Sequence, residues 1–375
     1  MTVSANPFAG LRPALETLAT EGRVLPATGQ AMEELMRPDH EEVLDTLRLG
    51  DEQVLDTMYE LGNAAPYVEL EPLHRTIDHP LRFFLDGSAR TFFLGDVVEG
   101  NRRSPIHVSQ IGSAVVRRAA DGRVQVARSR HRILLMLDKS GLSFADEIER
   151  LVKEAGDRFG FVDLMERDPD TDATSGKEPR SRAAHKAHHQ MAALEEELGR
   201  ELQREHGEWL VLDGSLGKDL HSWRDVEEFL GVTKSFSRNP MFKLPGARRS
   251  STVNLFNLLA GLPASGRTAV FAARSGAVAV WYVRLREQRH LDYPLMGVVK
   301  VELPRPDHSP VPSDLVDRIS SAIIAERQST PHGRDVRWHA HLYAIFLAEQ
   351  AVKNGFVSSE VLKAGLRWPE LARGG

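Results

Sequence analysis

Apolar positions in the first 77 residues recur at intervals of three, four and seven, without strict alternation. Leu15 and Leu18, Val43 and Leu47, and Leu47 and Val54 are examples of these three intervals. Such spacing places apolar side chains on one face of a helix, and prolines punctuate the stretch. We therefore predict an N-terminal helical arm over residues 1–77, which could pack on the core or on another subunit.

From about residue 80 the pattern changes to short apolar runs bounded by turn residues, which is typical of strands. The first two runs, Phe83–Leu85 and Phe92–Leu94, flank the tripeptide Asp86-Gly87-Ser88, and Asp-Gly is a common hairpin turn. Further runs follow at 106–117 and 124–137. We predict an antiparallel meander that begins with a hairpin carrying Asp86 at its turn.

Helical and strand patterns alternate through the rest of the chain. A polar stretch at about 166–182 is almost devoid of apolar residues, and we predict that it is a flexible insert in a domain spanning 78–375. The order of elements predicts an α/β fold with a mixed sheet flanked by helices. The predicted helices are Ser143–Ala155, Arg182–His206, Trp223–Leu230, Ser251–Leu262, Leu315–Ile324, Trp338–Asn354 and Ser358–Ala364, and the predicted strands are 209–212, 231–236, 268–273, 278–285 and 295–303.

The composition of the chain excludes several kinds of protein. There is no cysteine, so disulfides, thiolate catalysis and cysteine-ligated zinc are excluded. The net charge of −5 at pH 7 indicates that nucleic acid could bind only through local basic patches. No apolar run is long enough to span a membrane, and the N-terminus lacks a basic-then-apolar signal pattern. We expect a cytoplasmic protein with no membrane contact.

Three acids lie on elements that suit a metal centre. Asp86 follows one apolar run, Asp213 follows another in a second Asp-Gly-Ser tripeptide, and Glu195 lies on the long helix between them. At about 100° per residue, Glu195 falls at the edge of the apolar stripe of that helix, whereas Glu196 and Glu197 point away from it. An acid on a first strand, one on a following helix and one on a fourth strand is the order that a ribonuclease-H-like nuclease needs. The plainer interpretation is two turns and a surface-helix glutamate.

A fourth ligand is expected from a late helix, where Glu349 and His341 are the candidates. On a continuous helix, eight residues at about 100° each place them about 80° apart, so we expect only one of them to face inward, and we favour Glu349. Clustered carboxylates suit Mg²⁺ and Mn²⁺, and two such ions can activate water and stabilise the leaving oxygen in phosphodiester cleavage. We therefore predict a centre of two Mn²⁺ or Mg²⁺ ions, with Asp86, Glu195, Asp213 and Glu349 as ligands and His341 as a further catalytic candidate.

Several segments of the chain together resemble the NurA nuclease family over about residues 80–350. They are FFLDGS at 83–88, WLVLDGS at 209–215, GVTKS at 231–235 and YVRL at 282–285, with the glutamate helix between the first two. The resemblance implies a ribonuclease-H-like core related to the Piwi domain. It also implies a Mn²⁺- or Mg²⁺-dependent DNA nuclease acting on single strands and on 5′ ends of duplex. A homodimer that works with a HerA-type hexameric DNA-translocating ATPase, in end processing or anti-phage defence, is implied as well.

The same resemblance assigns roles to particular residues. Asp86 and Asp213 match the metal aspartates by motif, and Glu195 or Glu196 matches the intervening glutamate. The late aromatic-to-histidine pattern of the family is not matched cleanly, because Trp338, His341 and Glu349 occupy that region.

Basic and aromatic residues supply candidates for nucleic-acid binding. They are Lys234 in GVTKS, Tyr282 and Arg284 in YVRL, and the pair Arg248-Arg249. Charges of this kind belong more often to solvated faces than to phosphate contacts. Two alternatives to a nuclease are a catalytically weak nucleic-acid-binding subunit and a Piwi-like module, which would need a basic pocket for a 5′ phosphate.

Overall fold

The computed structural model describes residues 6–27, 33–35, 54–55, 59–62, 65–75, 78–166, 179–216, 223, 226–236, 241–244, 251–288, 292–329 and 338–366. The α-helices in these residues are α1 (Arg12–Glu21), α2 (Ala145–Glu154), α3 (Pro179–Arg200), α4 (Leu255–Ala260), α5 (Ser313–Ala325), α6 (Tyr343–Asn354) and α7 (Ser359–Gly365). The strands are β1 (Arg23–Pro26), β2 (Glu33–Leu35), β3 (Val54–Leu55), β4 (Glu60–Leu61), β5 (Tyr67–Glu69), β6 (Leu81–Glu99), β7 (Arg102–Arg118), β8 (Val124–Leu137), β9 (Phe159–Asp163), β10 (Trp209–Asp213), β11 (Phe229–Thr233), β12 (Met241–Leu244), β13 (Ser251–Asn254), β14 (Gly266–Thr268), β15 (Phe271–Ala273), β16 (Val278–Arg284), β17 (Val298–Pro304) and β18 (Val311–Pro312).

A large mixed sheet organises the described part of the chain, with the strand order β5-β14-β16-β17-β11-β10-β6-β7-β8-β9. β6, β7 and β8 form an antiparallel meander, and β10 lies parallel to β6 on its other side. β11 is parallel to β10, β17 is antiparallel to β11, and β16 is antiparallel to β17. The carboxyl ends of β10, β11 and β16 therefore lie at one edge of the sheet. The α/β class and the mixed sheet flanked by helices are confirmed.

Helices cover both faces of the central strands. α3 and α6 both pack against β6, β7 and β8. Leu85 of β6 belongs to a core cluster with Leu198 of α3, whereas its neighbour Phe84 belongs to a cluster with Ile345 of α6. Because successive strand residues point to opposite faces, α3 and α6 lie on opposite sides of the sheet. None of the described helices is long and apolar enough to cross a membrane.

The predicted hairpin at Asp86-Gly87-Ser88 is wrong. β6 runs through the tripeptide without interruption from Leu81 to Glu99. Apolar residues occur on both sides of the tripeptide because both faces of this one strand are buried, so the two runs do not require two strands. Gly87 makes room for a side chain of α3 and does not form a turn.

The helical arm predicted for residues 1–77 is also wrong where the structure describes that stretch. Among the described elements of residues 1–77, only α1 is a helix longer than one turn. β1 and β2 pair with β6, and β5 pairs with β14. β3 and β4 join two smaller sheets. These strands have two to four residues, which is too few to show the alternation of apolar and polar residues that marks a strand. The spacing between their apolar residues therefore resembles that of a helix. The N-terminal segment therefore extends the sheets.

Several other predicted helices differ from those in the structure. The helix predicted over Trp223–Leu230 overlaps β11, and the one predicted from Ser251 divides into β13 and α4. Ser143 does not cap α2, because its backbone N–H and its hydroxyl donate to the carboxylate of Glu99. The long helix ends at Arg200, short of the predicted His206. Most of the insert predicted at about 166–182 lies outside the described residues.

Candidate functional site

Asp86 lies in the interior of the molecule, although it is an ionisable residue on a central strand. It is 7% exposed and projects to the same face of β6 as Phe84, the face that α6 covers. Burial raises the pKa of Asp86 well above its ordinary value, and the charge of Asp213 raises it further. Lys234 lowers this pKa, whereas Glu349 and Glu195 raise it. Asp86 is therefore the centre of a group of charges drawn from four other places in the chain.

Asp213 and Lys234 reach Asp86 from the ends of two neighbouring parallel strands. Leu212 pairs with Leu85 of β6, so that Asp213, the last residue of β10, comes to lie beside Asp86. Lys234 follows β11, and its Nζ lies 2.7 Å from Oδ2 of Asp213. Burial acts to lower the pKa of Lys234, but the charges of Asp213 and Asp86 outweigh it and raise the pKa. Lys234 thus stays charged and neutralises part of the acidic group.

The acids meet at a gap in the pairing of β6. β10 pairs with β6 only as far as Leu85, and β2 pairs with the strand again from Thr91. In the described ranges no strand pairs with this edge of β6 between 86 and 90. Side chains from both faces of the sheet can meet at such a gap. We call the gap, together with Asp86, Glu195, Asp213 and Glu349, the acidic notch.

Glu195 enters the acidic notch from the face opposite to Asp86. A Cβ atom at Gly87 would lie 2.8 Å from Oε1 of Glu195 and 2.8 Å from Cγ of Met191. Both distances are shorter than side-chain carbon atoms normally reach, so only glycine leaves room for the carboxylate. Gly87 is thus the residue that lets a glutamate of α3 approach the backbone of β6.

The choice between Glu195 and Glu196 can be made from their surroundings. Glu195 is 7% exposed, whereas Glu196 pairs with Arg200 one turn along α3 and is more exposed. Glu197 pairs with Arg130 and Arg132 of β8. Glu195 is therefore the glutamate of this run that reaches the acidic notch, as its position on the helix predicts.

Glu349 and His341 face the same site, contrary to the prediction that only one of them can. The predicted continuous helix is wrong: α6 begins at Tyr343, so His341 lies on the segment before it. Burial acts to raise the pKa of Glu349, but Lys353, Lys234 and His341 together lower it. Nζ of Lys353 lies 2.5 Å from Oε1 of Glu349. His341 is buried and close enough to act on Glu349 through its charge.

A buried ion pair on β17 supports the acidic notch, and its residues are not among the predicted site residues. Nζ of Lys300 lies 2.6 Å from Oε1 of Glu302. The carboxylate of Glu302 also accepts hydrogen bonds from Ser215 Oγ, at 2.9 and 3.0 Å, and from the N–H of Leu216, at 2.7 Å. These bonds hold the turn that follows Asp213. The serine of the second Asp-Gly-Ser was a signal, but its partner is 87 residues away.

Two of the residues predicted to bind nucleic acid are structural. Tyr282 is 1% exposed and packs against Phe236, with their ring centres 5.1 Å apart. Arg284 is 1% exposed, and its guanidinium donates to four backbone carbonyls, among them those of Leu259 and Leu262. Neither side chain is exposed enough to contact a phosphate, so we do not assign either residue to nucleic-acid binding. Arg248 and Arg249 lie outside the described residues, and Lys234 pairs with Asp213 of the acidic notch.

The donor chemistry of the acidic notch fits a divalent cation. Its carboxylate oxygens are the ligands that Mg²⁺ and Mn²⁺ prefer, and burial, followed by the charge of Asp213, raises the pKa of Asp86. Within the described ranges, no group of three or more histidine or acidic side chains is arranged to hold a metal ion as it stands. The acids can shift one another's pKa over distances longer than the ~2 Å of a bond to Mg²⁺, so their mutual electrostatic effect does not require coordination geometry. Asp213 and Glu349 are instead turned toward lysines, so direct coordination would require rotation of these side chains.

Comparisons with known protein families and curated proteins found no match. No protein-family model matches the chain, and no curated protein matches its sequence.

Proposed function

We propose that this chain is a metal-dependent DNA nuclease whose reaction centre is the acidic notch. The observation that carries the proposal is the meeting of Asp86, Glu195, Asp213 and Glu349, from four separate elements, at one largely buried place. Crowding buried acids opposes folding, and groups with pKa values shifted in this way concentrate at functional sites. These four carboxylates would hold two Mn²⁺ or Mg²⁺ ions.

The strand order supports a ribonuclease-H-like core for the same domain. β6, β7 and β8 form a meander, β10 then adds parallel to β6, and β11 adds parallel to β10. Within this five-strand unit, Asp86 lies on the first strand and Asp213 ends the fourth, while Glu195 lies on the helix before the fourth. This is the order of acids that such a nuclease needs.

The chain's own residues prepare the centre in distinct ways. Gly87 leaves space for Glu195, Glu302 fixes the turn after Asp213, and Lys353 orients Glu349. Lys234 holds Asp213 and carries a positive charge close to where a phosphate would approach. Divalent ions bound here would supply an activated water and a stabilised leaving oxygen.

Replacing Asp86 tests the proposal directly. We expect Asp86→Asn to lower Mn²⁺-dependent cleavage of single-stranded DNA by about a thousandfold or more, because one carboxylate ligand is lost from the centre. Glu196→Gln is the matched control, since Glu196 lies beside Glu195 but pairs with Arg200. Circular dichroism establishes that both variants fold. Cleavage by Asp86→Asn at the rate of the unaltered protein would contradict the proposal.

One observation favours the alternative, a catalytically weak subunit or Piwi-like module that binds nucleic acid. Lys234 and Lys353 already pair with two of the acids of the notch. If these lysines permanently take the place of metal, calorimetric titration with Mn²⁺ will show no binding, while DNA still binds in the presence of a chelator. Binding of Mn²⁺ that is lost in Asp86→Asn would instead support the nuclease.

The proposed assembly and setting rest on the resemblance alone. They are a homodimer, a HerA-type hexameric ATPase as partner, and a cytoplasmic role in DNA end processing or anti-phage defence.

A further inference from the structure

Two arginines and a tryptophan lie together at the edge of the sheet that carries the acidic notch. Arg286 follows the end of β16, and its guanidinium carbon lies 4.8 Å from the centre of the Trp338 ring. Its Nε donates a hydrogen bond of 3.0 Å to the carbonyl of His339. Arg286 and Trp338 are both partly exposed, so the stacked pair borders the solvent.

Arg327 forms an antiparallel bridge with Leu342, on the segment that follows Trp338, and so brings a second positive charge to the same place. Burial lowers the pKa of Arg286, and the charge of Arg327 lowers it further. Within the part of the chain that the structure describes, a buried terminal nitrogen of Arg286 has no hydrogen-bond partner. Like charges brought together without an anion are a common feature of sites that bind phosphate or carboxylate groups.

The position of this pair of charges relates it to the acidic notch. β16 runs parallel to β10 and lies three strands away from it, with β17 and β11 between them. At about 4.8 Å per strand, the ends of β10 and β16 are roughly 14 Å apart along the same edge. The segment that carries Trp338 continues directly to His341, which acts on Glu349 of the notch. At about 3.4 Å per stacked nucleotide, this separation corresponds to about four nucleotides.

We propose that Arg286, Arg327 and Trp338 form a subsite that binds the phosphate backbone and a base of a single-stranded nucleic acid leading to the acidic notch. The guanidinium groups supply planar donors for phosphate oxygens. Trp338 supplies an aromatic surface for a base, as in proteins that bind single strands without reading sequence. The subsite deepens the proposed function and rests on it for the identity of the strand.

The test measures binding separately from cleavage. Fluorescence anisotropy with labelled oligothymidylate, in the presence of a chelator, gives the affinity of the full chain at several salt concentrations. We expect Trp338→Ala to weaken binding at least about fivefold. Arg327→Ala should weaken it as well and should make the logarithmic salt dependence less steep by about 0.7. Arg286→Lys, which keeps the charge but loses the planar stack, should lie between the unaltered protein and Arg286→Ala.

Arg123→Ala is the charge-matched control. Arg123 is exposed in the turn between β7 and β8, at the opposite edge of the sheet, and it pairs with Asp121. Its loss should leave binding and salt dependence unchanged. Arg327 donates no side-chain hydrogen bond within the described residues, so Arg327→Ala tests the subsite even if Arg286→Ala or Trp338→Ala fails to fold.

The outcomes separate this subsite from the nuclease proposal. If Arg327→Ala binds oligothymidylate as the unaltered protein does, the subsite is overturned, whether or not the protein cuts DNA. If Arg123→Ala loses as much affinity as Arg327→Ala, or if polyglutamate competes as well as oligothymidylate, the effect is general charge and the subsite is overturned. Weakened binding in Arg327→Ala and Trp338→Ala supports it even where no cleavage is detected, and in that case only the nuclease proposal fails.

Discussion

Two groups of buried charges lie along β6 and its neighbours, and they are balanced in opposite ways. In the acidic notch, four carboxylates face the ammonium groups of Lys234 and Lys353. Near the start of β6, the single carboxylate of Glu326 faces Arg118, Arg75 and His79. Arg118 is the last residue of β7, and Arg117 beside it pairs with Phe83. The two groups therefore share strands but differ in the sign of their excess charge.

Under the proposed function, this difference separates a functional group of charges from a structural one. The positive excess around Glu326 is provided entirely by the chain, and it joins the C-terminal end of α5 to β7 and to the segment before β6. In the acidic notch, four carboxylates are drawn together around two lysines that pair with Asp213 and Glu349. Crowding buried carboxylates opposes folding unless a cation offsets their charge. A divalent cation is a species of the required sign.

Neutralising one carboxylate in each group should have opposite effects on stability. We expect Glu326→Gln to lower the free energy of unfolding by about 3 kcal/mol, because Arg118 is left buried without its counter-charge. Asp86→Asn, measured in a chelator, should leave stability unchanged or raise it by about 1 kcal/mol, because crowding among the acids is relieved. Urea denaturation at pH 7 measures both. A large loss of stability in Asp86→Asn would mean that the notch is itself a structural network.

Three acids of the notch could be singled out from the sequence by local patterns, although the pattern at Asp86 predicted a turn and not the interior of a strand. Asp86 and Asp213 follow apolar runs that end near the same strand edge, and the position of Glu195 on α3 follows from the helical period. Parallel pairing of β10 with β6 then brings the two aspartates together without any further signal. Their roles as metal ligands stay predictions.

The features that could not be predicted depend on contacts far apart in sequence. The tripeptide at Asp86 has the composition of a turn, and only the approach of Glu195 explains why Gly87 lies within a strand. The hydrogen bond from Ser215 to Glu302 spans 87 residues. The short N-terminal strands form because β6 and β14 offer them edges with which to pair. Local periodicity contains none of this information.

The group around Glu326 should make stability depend on pH through His79. Burial lowers the pKa of His79 from 6.5 to about 4, and the charges of Arg118 and Arg75 contribute. Because the unfolded chain binds a proton in this window and the folded chain does not, stability is full above pH 6.5 and falls as the pH falls toward 4. The raised pKa of Glu326 acts in the opposite direction. We expect a net loss of about 1 to 2 kcal/mol between pH 7 and pH 5.

Urea denaturation of a histidine variant at the two pH values checks this expectation. His79→Gln should lose less stability between pH 7 and pH 5 than the unaltered protein, whatever its stability at pH 7. His206→Gln is the control, because the side chain of His206 is 96% exposed. An unchanged pH dependence in His79→Gln would show that His79 is not the group whose protonation lowers stability between pH 7 and pH 5.

The smallest change expected to sharpen the comparison is a single methyl group at Gly87. In Gly87→Ala the new Cβ would meet Oε1 of Glu195 and the side chain of Met191, both of which can move, so the fold should persist while Glu195 is displaced. We expect the affinity for Mn²⁺, followed by calorimetric titration, to fall about tenfold.

Glu195→Gln should show a comparable loss and Glu196→Gln none. Because the methyl group acts through Glu195, the double variant Gly87→Ala/Glu195→Gln should bind no more weakly than Glu195→Gln alone. Fully additive losses would show that Gly87 affects the notch by another route.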